Sequence, residues 1–405
     1  MKVAIISESP SLATGFGTTT KKIIEIIAQK GFDIACFGIG AIGETFNRSL
    51  YPCRIWAVGV TNLKEQIALF LRHEQPDVVL IHKDVIDTGK WVHLIRAAKW
   101  QGPIIAYFVL DGHPIFKRHL SFLSDVQERI TATHATAQYL ESEGFSGISV
   151  IPHGIDHNVF YPLPYKDSLR KKAGLEDKFV IGIFGRNAAR KQQARVMLAI
   201  SSLKAQGKTK DMTFYFHCQP LDDSSLDGWD LREVAQQLDI EELVIFPETG
   251  FDQLTGTPYL SSIQTASPLT IKTPESYHHF NYVERLNCCD VVINASFSGG
   301  FEMGTIETQA CGIPVVITND CGSMAEVAGN GALLLDATDI GIWKTGARQH
   351  FVSSETIAEA IIRLYSDLSL YTELREKGLV NAKKYNHRVM GESIAKIVTS
   401  HLISK

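Results

Sequence analysis

The chain has 405 residues, of which 45% are hydrophobic and 21% are charged, the composition of a globular protein long enough to form two domains. Lysine and arginine number 40 against 44 aspartates and glutamates, which gives a formal net charge of −4. This balance excludes a polybasic protein that holds nucleic acid by bulk charge. The apolar content excludes a chain that is disordered throughout.

The N-terminal sequence and the cysteine spacing favour a cytoplasmic protein. The apolar run Val3–Ile6 is too short for a signal peptide, and no run of about 18 apolar residues predicts a membrane-spanning helix. The seven cysteines are scattered and form no C-x-x-C pair, so they indicate neither a zinc site nor a redox motif. We therefore expect a cytoplasmic protein with reduced cysteines.

Along the first half of the chain, short apolar runs alternate with amphipathic helical patterns. Strands are predicted at Lys2–Ser7, Asp33–Gly38, Val78–His82, Ile104–Val109, Arg129–Ala132 and Ser149–Pro152, and helices at Thr19–Lys30, Leu63–His73 and Ala135–Glu143. Alternation of this kind predicts a parallel sheet with helices on both faces.

The second half repeats the same pattern. Strands are predicted at Phe179–Phe184, Met212–His217, Leu243–Phe246, Val291–Ala295, Pro314–Thr318 and Ala332–Leu335, and helices at Ala194–Ala205, Asp230–Leu238, Gly304–Cys311, Ser354–Ser366 and Leu368–Tyr385. Two such series predict an α/β protein with two doubly wound domains.

A boundary between the two series lies at Tyr161–Pro164, which holds two prolines and is followed by the charged run Lys166–Lys172. This pattern predicts a linker and the first helix of a second domain, so we expect domains over residues 1–162 and 163–385. The polar segment Pro247–Phe280 contains four prolines and interrupts the pattern. It predicts either a functional loop or a tolerated surface insertion.

Thr14–Gly17 follows the first predicted strand and precedes a helix. Glycines at such a place let backbone N–H groups approach an anion at the helix N-terminus. The segment lacks the third glycine of the dinucleotide fingerprint and the Gly-Lys-Ser/Thr of a P-loop. It therefore indicates either an anion-contacting loop or a plain tight turn.

Gly185–Lys191 follows the apolar strand Phe179–Phe184, which places it at the carboxyl edge of the second sheet, where open α/β sheets bind ligands. Arg186 and Lys191 would present two positive charges there. A planar guanidinium and a flexible ammonium suit a diphosphate. The alternative is a solvated basic loop.

Ser298–Val316 begins with a glycine cluster after the strand Val291–Ala295. A helix is expected to start at about Thr305 and to end at Gly312. Backbone amides would gather at the helix N-terminus, with Glu307 projecting from the first turn, so the amides could hold a phosphate and the carboxylate a ribose. The alternative for Glu307 is stabilisation of the helix dipole.

These motifs together resemble the retaining GT-B glycosyltransferases of family four, the glycogen synthase-like and mannosyltransferase-like group. The matching residues are spread over nearly the whole chain: Gly15–Gly17, Ile151–Asp156, Gly185–Arg186 with Lys191, and Gly299–Val316. The resemblance implies two Rossmann-like domains that face a cleft. It also implies that residues 386–405 form a C-terminal helix crossing back onto the first domain.

The resemblance assigns roles by position. Arg186 and Lys191 would neutralise the diphosphate of a nucleoside diphosphate sugar, with a UDP-sugar as the expected donor, and Glu307 would hold the ribose hydroxyls. Further donor contacts would come from Gly15, Gly17, Gly300, Phe301, Glu302, Met303 and Gly304. The donor is a co-substrate, and neither a cofactor nor a metal site is expected, because the sequence has no Asp-x-Asp and no His/Cys cluster with ligand spacing.

A histidine that touches the donor sugar is implied after the strand that ends near Val109. Asp111 and His113 both stand there, and either could fill that role. Asp111 could instead orient the acceptor hydroxyl. The alternatives are a turn formed by Asp111 with Gly112 and a surface histidine.

The sequence departs from the family at one position. The family has an acidic pair spaced Glu-x7-Glu, of which Glu307 is the second member, and the first falls on Gly299. Glu302 stands three residues later, where the family usually has glycine. Either Glu302 reaches the sugar hydroxyls by another route, or recognition of the donor sugar differs.

The predicted reaction is transfer of a hexosyl or pentosyl group to an acceptor hydroxyl with retention of configuration. The acceptor is left open among a saccharide, a lipid-linked glycan and a hydroxymethylated DNA base of the kind found in phages; a base would have to be extruded from the duplex. Two other classes also fit the sequence, namely a nucleotide-sugar-binding protein without turnover and a GT-B-like sugar epimerase.

Overall fold

The structure is a computed structural model that describes residues 1–41, 50–59, 61–221, 227–246, 250–251, 258–259, 280–320 and 322–403. The chain folds into two compact units. The first contains Met1–Asp156, Ile342–Ala347 and Tyr385–Lys405, and the second contains His157–Gly341 and Arg348–Lys384.

The first unit is built around a parallel sheet. Its elements up to the second unit are β1 (Lys2–Glu8), α1 (Gly15–Gln29), β2 (Asp33–Ile39), β3 (Arg54–Val58), α2 (Leu63–Glu74), β4 (Val78–Asp84), α3 (Val85–Ala97), β5 (Ile104–Val109), β6 (Glu128–Thr131), α4 (His134–Ser142) and β7 (Ile148–Val150). In the described residues the sheet has seven strands in the order β3-β2-β1-β4-β5-β6-β7, and each neighbouring pair is parallel. Helices on both faces explain why the central strands carry continuous apolar runs, with Val3–Ile6 fully buried.

The second unit repeats this architecture. Its elements are α5 (Lys166–Lys172), β8 (Phe179–Phe184), α6 (Gln193–Ala205), β9 (Met212–His217), α7 (Leu231–Gln237), β10 (Val244–Ile245), β11 (Gly250–Phe251), β12 (Pro258–Tyr259), α8 (Tyr282–Asn287), β13 (Val291–Asn294), α9 (Met303–Ala310), β14 (Val315–Asn319), α10 (Ser323–Ala328), β15 (Ala332–Asp336), β16 (Asp339–Ile342), β17 (Arg348–Phe351), α11 (Ser354–Ser366) and α12 (Leu368–Ala382). The described part of its main sheet has six parallel strands in the order β10-β9-β8-β13-β14-β15. Two smaller two-stranded sheets pair β11 with β12 and β16 with β17.

The twelve strands predicted from the sequence are all present, with bounds that differ by a residue or two. Eight of the labelled elements were not predicted, namely β3, α3, α8, α10, β11, β12, β16 and β17. The first two show why. The edge strand β3 has a partly exposed face at Arg54, Ile55 and Trp56, so it shows no continuous apolar run. Helix α3 starts directly after β4, because the Asp84 carboxylate accepts the backbone N–H groups of Ile86 and Asp87 at 2.9 and 3.0 Å and caps the helix without an intervening loop.

Each main sheet has one place where the strand order reverses. It lies between β1 and β4 in the first unit and between β8 and β13 in the second. In doubly wound sheets, ligands bind outside the carboxyl ends of the strands at such a point. The loops that follow these four strands are therefore where the fold predicts binding.

The C-terminal helix α13 (His387–Ile403) belongs to the first unit. It packs on α1 so closely that a Cβ added to Gly391 would lie 2.2 Å from Cδ1 of Ile26. Its close approach to α1 depends on the absence of a side chain at Gly391.

The start of α13 is held by the second of the matched motifs. Ile155 pairs with Asn386 in a parallel bridge, and the backbone N–H of His387 donates to the Ile155 carbonyl at 3.2 Å. A Cβ on Gly154 would lie 2.3 Å from both the Asn386 carbonyl carbon and the His387 nitrogen. The contact is therefore backbone against backbone, and position 154 has room only for glycine.

Replacing Gly154 with alanine is expected to destabilise the first unit by about 1–3 kcal/mol, because the new methyl group must push the start of α13 away. Urea unfolding at equilibrium measures this change. Gly59→Ala is the matched control, since a Cβ at Gly59 meets nothing within 4 Å. Equal free energies of unfolding for the two variants would show that the Gly154 contact does not hold the helix.

The six cysteines that the structure describes are all buried and free, as the scattered spacing predicts for these six. Cys321 lies outside the described residues, as does most of the predicted Pro247–Phe280 loop. No helix in the described part of the chain is both long and apolar enough to cross a bilayer.

Candidate functional site

Two of the predicted motifs meet at the switch point of the second unit. The loop after β8 carries Gly185–Lys191, and the loop after β13 leads through the glycine cluster into α9. These strands are neighbours in the sheet, so the carboxyl ends of both bring their loops together. The backbone N–H of Phe297 donates to the Arg190 carbonyl at 3.0 Å and joins the two loops directly.

Lys191 ends a short 3-10 turn, Ala189–Lys191, in the loop after β8. Its aliphatic stem lies over Gly185, where an added Cβ would be 3.5 Å from Cε and 3.6 Å from Cδ. Gly185 has a φ of +141°, a conformation that other residues rarely adopt. The Lys191 ammonium donates to Oε2 of Glu302 at 2.7 Å.

Glu302 pairs with a second cation, Arg190, in addition to Lys191. Its Oε1 accepts from Nη1 of Arg190 at 2.9 Å, and its Oε2 also accepts from Nδ2 of Asn294 at 3.0 Å. Burial by itself would raise the pKa of this carboxyl, but the charges and hydrogen bonds of Lys191 and Arg190 lower its pKa to about 2. Glu302 is therefore an ionised, buried carboxylate at neutral pH.

The start of α9 differs from the prediction. The helix begins at Met303 instead of Thr305, since Gly304 is accommodated inside the first turn. Glu307 consequently lies in the second turn, and the expectation that it projects from the first turn is wrong. The predicted end is correct: Gly312 has a φ of +70° and its N–H donates to the Gln309 carbonyl at 3.0 Å.

The residues predicted to bind the donor lead into the first turn of α9 and supply its first two positions, Met303 and Gly304. No side chain caps this helix, because Glu302 at the N-cap position turns to Lys191 and Arg190. Gly300 is buried, whereas Phe301 and Met303 are half-buried. A Cβ added to Gly304 would meet nothing within 4 Å, so the space beside this turn is open to an approaching group.

Glu307 is half-buried, and its Oε2 accepts a hydrogen bond from the Tyr282 hydroxyl at 2.9 Å. Burial raises the pKa of this carboxyl to about 7, although the Tyr282 bond acts to lower it. The Tyr282 ring in turn packs against Phe184 and His217, at centroid distances of 5.7 and 5.3 Å. A carboxyl held in this way changes charge near neutral pH.

Arg186 is exposed at the end of β8. Its backbone carbonyl accepts from Nε2 of Gln193 at 2.8 Å. The following residue, Asn187, is buried and donates to the Trp229 carbonyl at 2.6 Å. The backbone around Arg186 is thus fixed, whereas its side chain reaches solvent.

In the first unit, the glycines of the first motif begin α1. Thr14 caps this helix by accepting the Gly17 N–H at 3.0 Å. A Cβ on Gly17 would lie 2.4 Å from the Leu12 carbonyl oxygen, so close packing of the turn requires glycine there. Gly15 is exposed, and a Cβ added to it would meet nothing within 4 Å. Their contact with a donor stays a prediction.

Asp111 and His113 follow β5 in the first unit. Asp111 is exposed. The pKa of Asp84 is raised mainly by burial and then by the charge of Asp87, and the charge of Asp111 adds a smaller increase. The His113 ring stacks on Tyr139 at a centroid distance of 5.1 Å. The two candidates therefore stand in different surroundings, and the choice between them stays open.

Some residues at these strand ends were not singled out from the sequence. Lys83, at the end of β4, is buried and pairs with Glu8 at 2.9 Å and with Asp87 at 3.4 Å. Its ammonium also lies 4.9 Å from the centroid of the Phe16 ring. The polar sequence His82-Lys83-Asp84, which directly follows the apolar run of β4, is the signal that could have identified it.

Arg190, Asn294 and Tyr282 were also missed in the second unit. The adjacent pair Arg190-Lys191 was the available signal for the first, whereas nothing in the sequence ties Asn294 or Tyr282 to this place. Among the residues that the structure describes, no three His, Cys, Asp or Glu side chains are grouped so as to hold a metal ion.

A family model described as glycosyl transferases group 1 matches residues 275–367. This span is less than half of the chain and contains both Glu302 and Glu307. A search of curated proteins finds no match.

Solved structures resemble the chain over its full length. HepE of Anabaena in complex with UDP-glucose has a TM-score of 0.69 at 15% identity, covering 99% of this chain and 100% of its own. Sucrose-phosphate synthase of Thermosynechococcus elongatus has a TM-score of 0.72 at 14% identity, with both chains covered completely. WaaG, a glycosyltransferase involved in lipopolysaccharide biosynthesis, has a TM-score of 0.66 at 13% identity, with 98% and 99% covered. Likeness at these identities shows the fold, which is GT-B with two parallel-sheet α/β domains.

Proposed function

We propose that the protein is a retaining glycosyltransferase that moves a sugar from a UDP-sugar to an acceptor hydroxyl. The observation that carries this proposal is the arrangement at the switch point of the second unit. There Lys191, two loops and the open first turn of α9 come together. The glycosyl transferases group 1 match over residues 275–367, which include the loop after β13 and helix α9, supports it, and the UDP-glucose complex of HepE supports the choice of donor.

The donor would bind through its charged and hydroxyl groups. Lys191 and Arg186 neutralise the diphosphate, and the amides of Gly300–Gly304 contact the sugar and the distal phosphate. The Glu307 carboxylate accepts hydrogen bonds from the ribose hydroxyls. In the first unit, Gly15 and Gly17 would contact the diphosphate. Asp111 or His113 would contact the donor sugar, and Asp111 could instead orient the acceptor hydroxyl.

The chemical step breaks the bond between the anomeric carbon and the diphosphate oxygen. Negative charge then develops on the diphosphate, where Lys191, Arg186 and the amides of α9 stabilise it. The acceptor hydroxyl attacks the anomeric carbon from the same face and passes its proton to a leaving phosphate oxygen. The new glycosidic bond keeps the configuration of the donor. A saccharide, a lipid-linked glycan and a hydroxymethylated DNA base all supply the hydroxyl that this step needs.

Thermal unfolding with a panel of UDP-, GDP- and ADP-sugars tests the donor assignment. A UDP-sugar at about 100 times its Kd should stabilise the protein by about 2.7 kcal/mol, which raises Tm by roughly 3 °C for a chain of 405 residues that unfolds in one step. GDP- and ADP-sugars should give smaller shifts at equal concentration. A protein that no nucleotide sugar stabilises would contradict the proposal.

Turnover separates the transferase from its two rivals. With a stabilising donor and a panel of acceptors, we expect release of UDP together with a glycosylated product. Binding without UDP release from any acceptor or from water favours a binding protein. Inversion at C2 of the donor sugar without an acceptor favours an epimerase.

A further inference from the structure

Lys191 and Arg190 share one carboxylate. Glu302 is 8% exposed, and its two oxygens accept from the Lys191 ammonium at 2.7 Å and from Arg190 Nη1 at 2.9 Å. Arg190 Nη1 also donates to the Ser298 carbonyl at 2.6 Å. One negative charge therefore fixes two cations and joins the loop after β8 to the loop after β13.

The position of this carboxylate depends on Gly299. A Cβ added to Gly299 would lie 2.3 Å from Oε1 of Glu302 and 3.0 Å from its Cδ. The carboxylate thus fills the volume that any side chain at 299 would take. No other residue type at 299 leaves Glu302 where it is.

We propose that Glu302 is a positioning residue that fixes the Lys191 ammonium for the diphosphate, and that Gly299 is the residue that admits it. This inference rests on the proposed function for its consequences in catalysis. A lysine on a four-carbon stem loses rotamer freedom when it binds. Here Gly185 and Glu302 have already restricted it in the folded protein. The ammonium has three donors, so its bond to Glu302 leaves others for phosphate oxygens.

The same carboxylate also sets the charge of the site. It compensates one of the two positive charges of Lys191 and Arg190, so the site attracts UDP less strongly than the two cations would alone. Glu302 therefore has opposite effects on two measurable quantities. It increases turnover by orienting Lys191, and it lowers the affinity of the site for the UDP product.

Glu302→Gln separates these effects, because glutamine keeps the shape and removes the charge. We expect UDP to bind about three- to tenfold more tightly, by titration calorimetry, and kcat to fall by about tenfold or more. Gly299→Ala keeps the glutamate at position 302 but moves its carboxylate away from Lys191, so kcat should fall in the same way. The double variant Gly299→Asp with Glu302→Ala empties this volume before a carboxylate is returned to it, so it should recover most of the kcat that Glu302→Ala alone loses.

A ligand-free readout tests the positioning directly. Acylation of lysines by an N-hydroxysuccinimide ester, followed by mass spectrometry, reports how much of each amine is unprotonated and reachable. The Glu302 carboxylate favours the protonated form, so Lys191 should be labelled at least about fivefold faster in Glu302→Gln and Gly299→Ala than in the wild type. Glu359→Gln, an exposed glutamate on α11, is the matched control and should leave labelling, kcat and UDP affinity unchanged.

The outcomes distinguish the two proposals. Unchanged Lys191 labelling in both variants would overturn the positioning role, whatever UDP does. A parallel loss of kcat and UDP affinity in Glu302→Gln would also overturn it and would make Glu302 a direct donor contact. Faster labelling in a protein that no nucleotide sugar stabilises would keep Glu302 as the residue that fixes Lys191 and would reject the glycosyltransferase.

Discussion

Replacing Lys191 with alanine is expected to lower kcat by about 10²–10³-fold with a UDP-sugar donor, because one preorganised charge that stabilises the leaving diphosphate is lost. The structure already fixes this ammonium, with its stem over Gly185 and its tip on Glu302 at 2.7 Å. No reorganisation is then needed when negative charge develops. Initial rates of UDP release at saturating donor measure the effect.

The matched control for this variant is Lys204→Ala. Lys204 lies on α6 in the same unit and pairs with Asp239 at 2.9 Å and Glu242 at 2.8 Å. Both pairs are at the surface, where such pairs contribute little, so this variant should keep wild-type rates. If Lys191→Ala and Lys204→Ala have equal kcat, Lys191 does not act on the leaving group.

Replacing Glu307 with glutamine is expected to weaken UDP binding by about 10–100-fold at pH 8, because the ionised carboxylate accepts the ribose hydroxyls more strongly than an amide does. Titration calorimetry with UDP measures this loss. Glu359→Gln again serves as the control.

The raised pKa of Glu307 gives this prediction a pH dependence. Since its pKa is about 7 in the folded protein against an ordinary value of 4.5, the carboxylate forms only as the pH rises through 7. The ratio of wild-type to Glu307→Gln affinity for UDP should therefore increase between pH 6 and pH 8. A comparison of the two proteins at each pH cancels the ionisation of UDP itself.

The raised pKa of Glu307 strengthens UDP binding as the pH rises, but it lowers the free energy of unfolding over the same change in pH. Between pH 4.5 and 7 the folded protein keeps the Glu307 proton that the unfolded chain releases, so this group contributes less stability as the pH rises through that range. Glu307→Gln removes the cost of ionising this half-buried carboxyl. Its stability relative to the wild type should improve from pH 4 to pH 8 in urea unfolding. A variant that loses stability at pH 8 and binds UDP normally would show that Glu307 is structural.

The sequence was sufficient for the fold because both sheets are buried on two faces. Their strands appear as apolar runs, such as Val3–Ile6 and Phe179–Phe184, between amphipathic helices. Elements without that signal were not predicted: β3 has a partly exposed face, and α3 follows β4 directly. The segment Ile342–Ala347, which belongs to the first unit, has no pattern that separates it from the second.

The candidate site was predictable only in part. Glycines and charges after a strand locate the loops of Gly185–Lys191 and Ser298–Gly304, because the end of a strand determines where its loop lies. The sequence does not show which charged side chains form ion pairs, because Lys191 and Glu302 are far apart in the chain. The pairing of Arg190 and Lys191 with one carboxylate, and the place that Gly299 leaves for it, required the three-dimensional structure.

A crystal structure of the protein with UDP tests the central claim most directly. We expect the diphosphate at the ends of β8 and β13, with a phosphate oxygen within hydrogen-bond distance of Lys191 Nζ and the ribose hydroxyls on the Glu307 carboxylate. UDP bound away from these strand ends, with neither Lys191 nor Glu307 in contact with it, would reject this donor site.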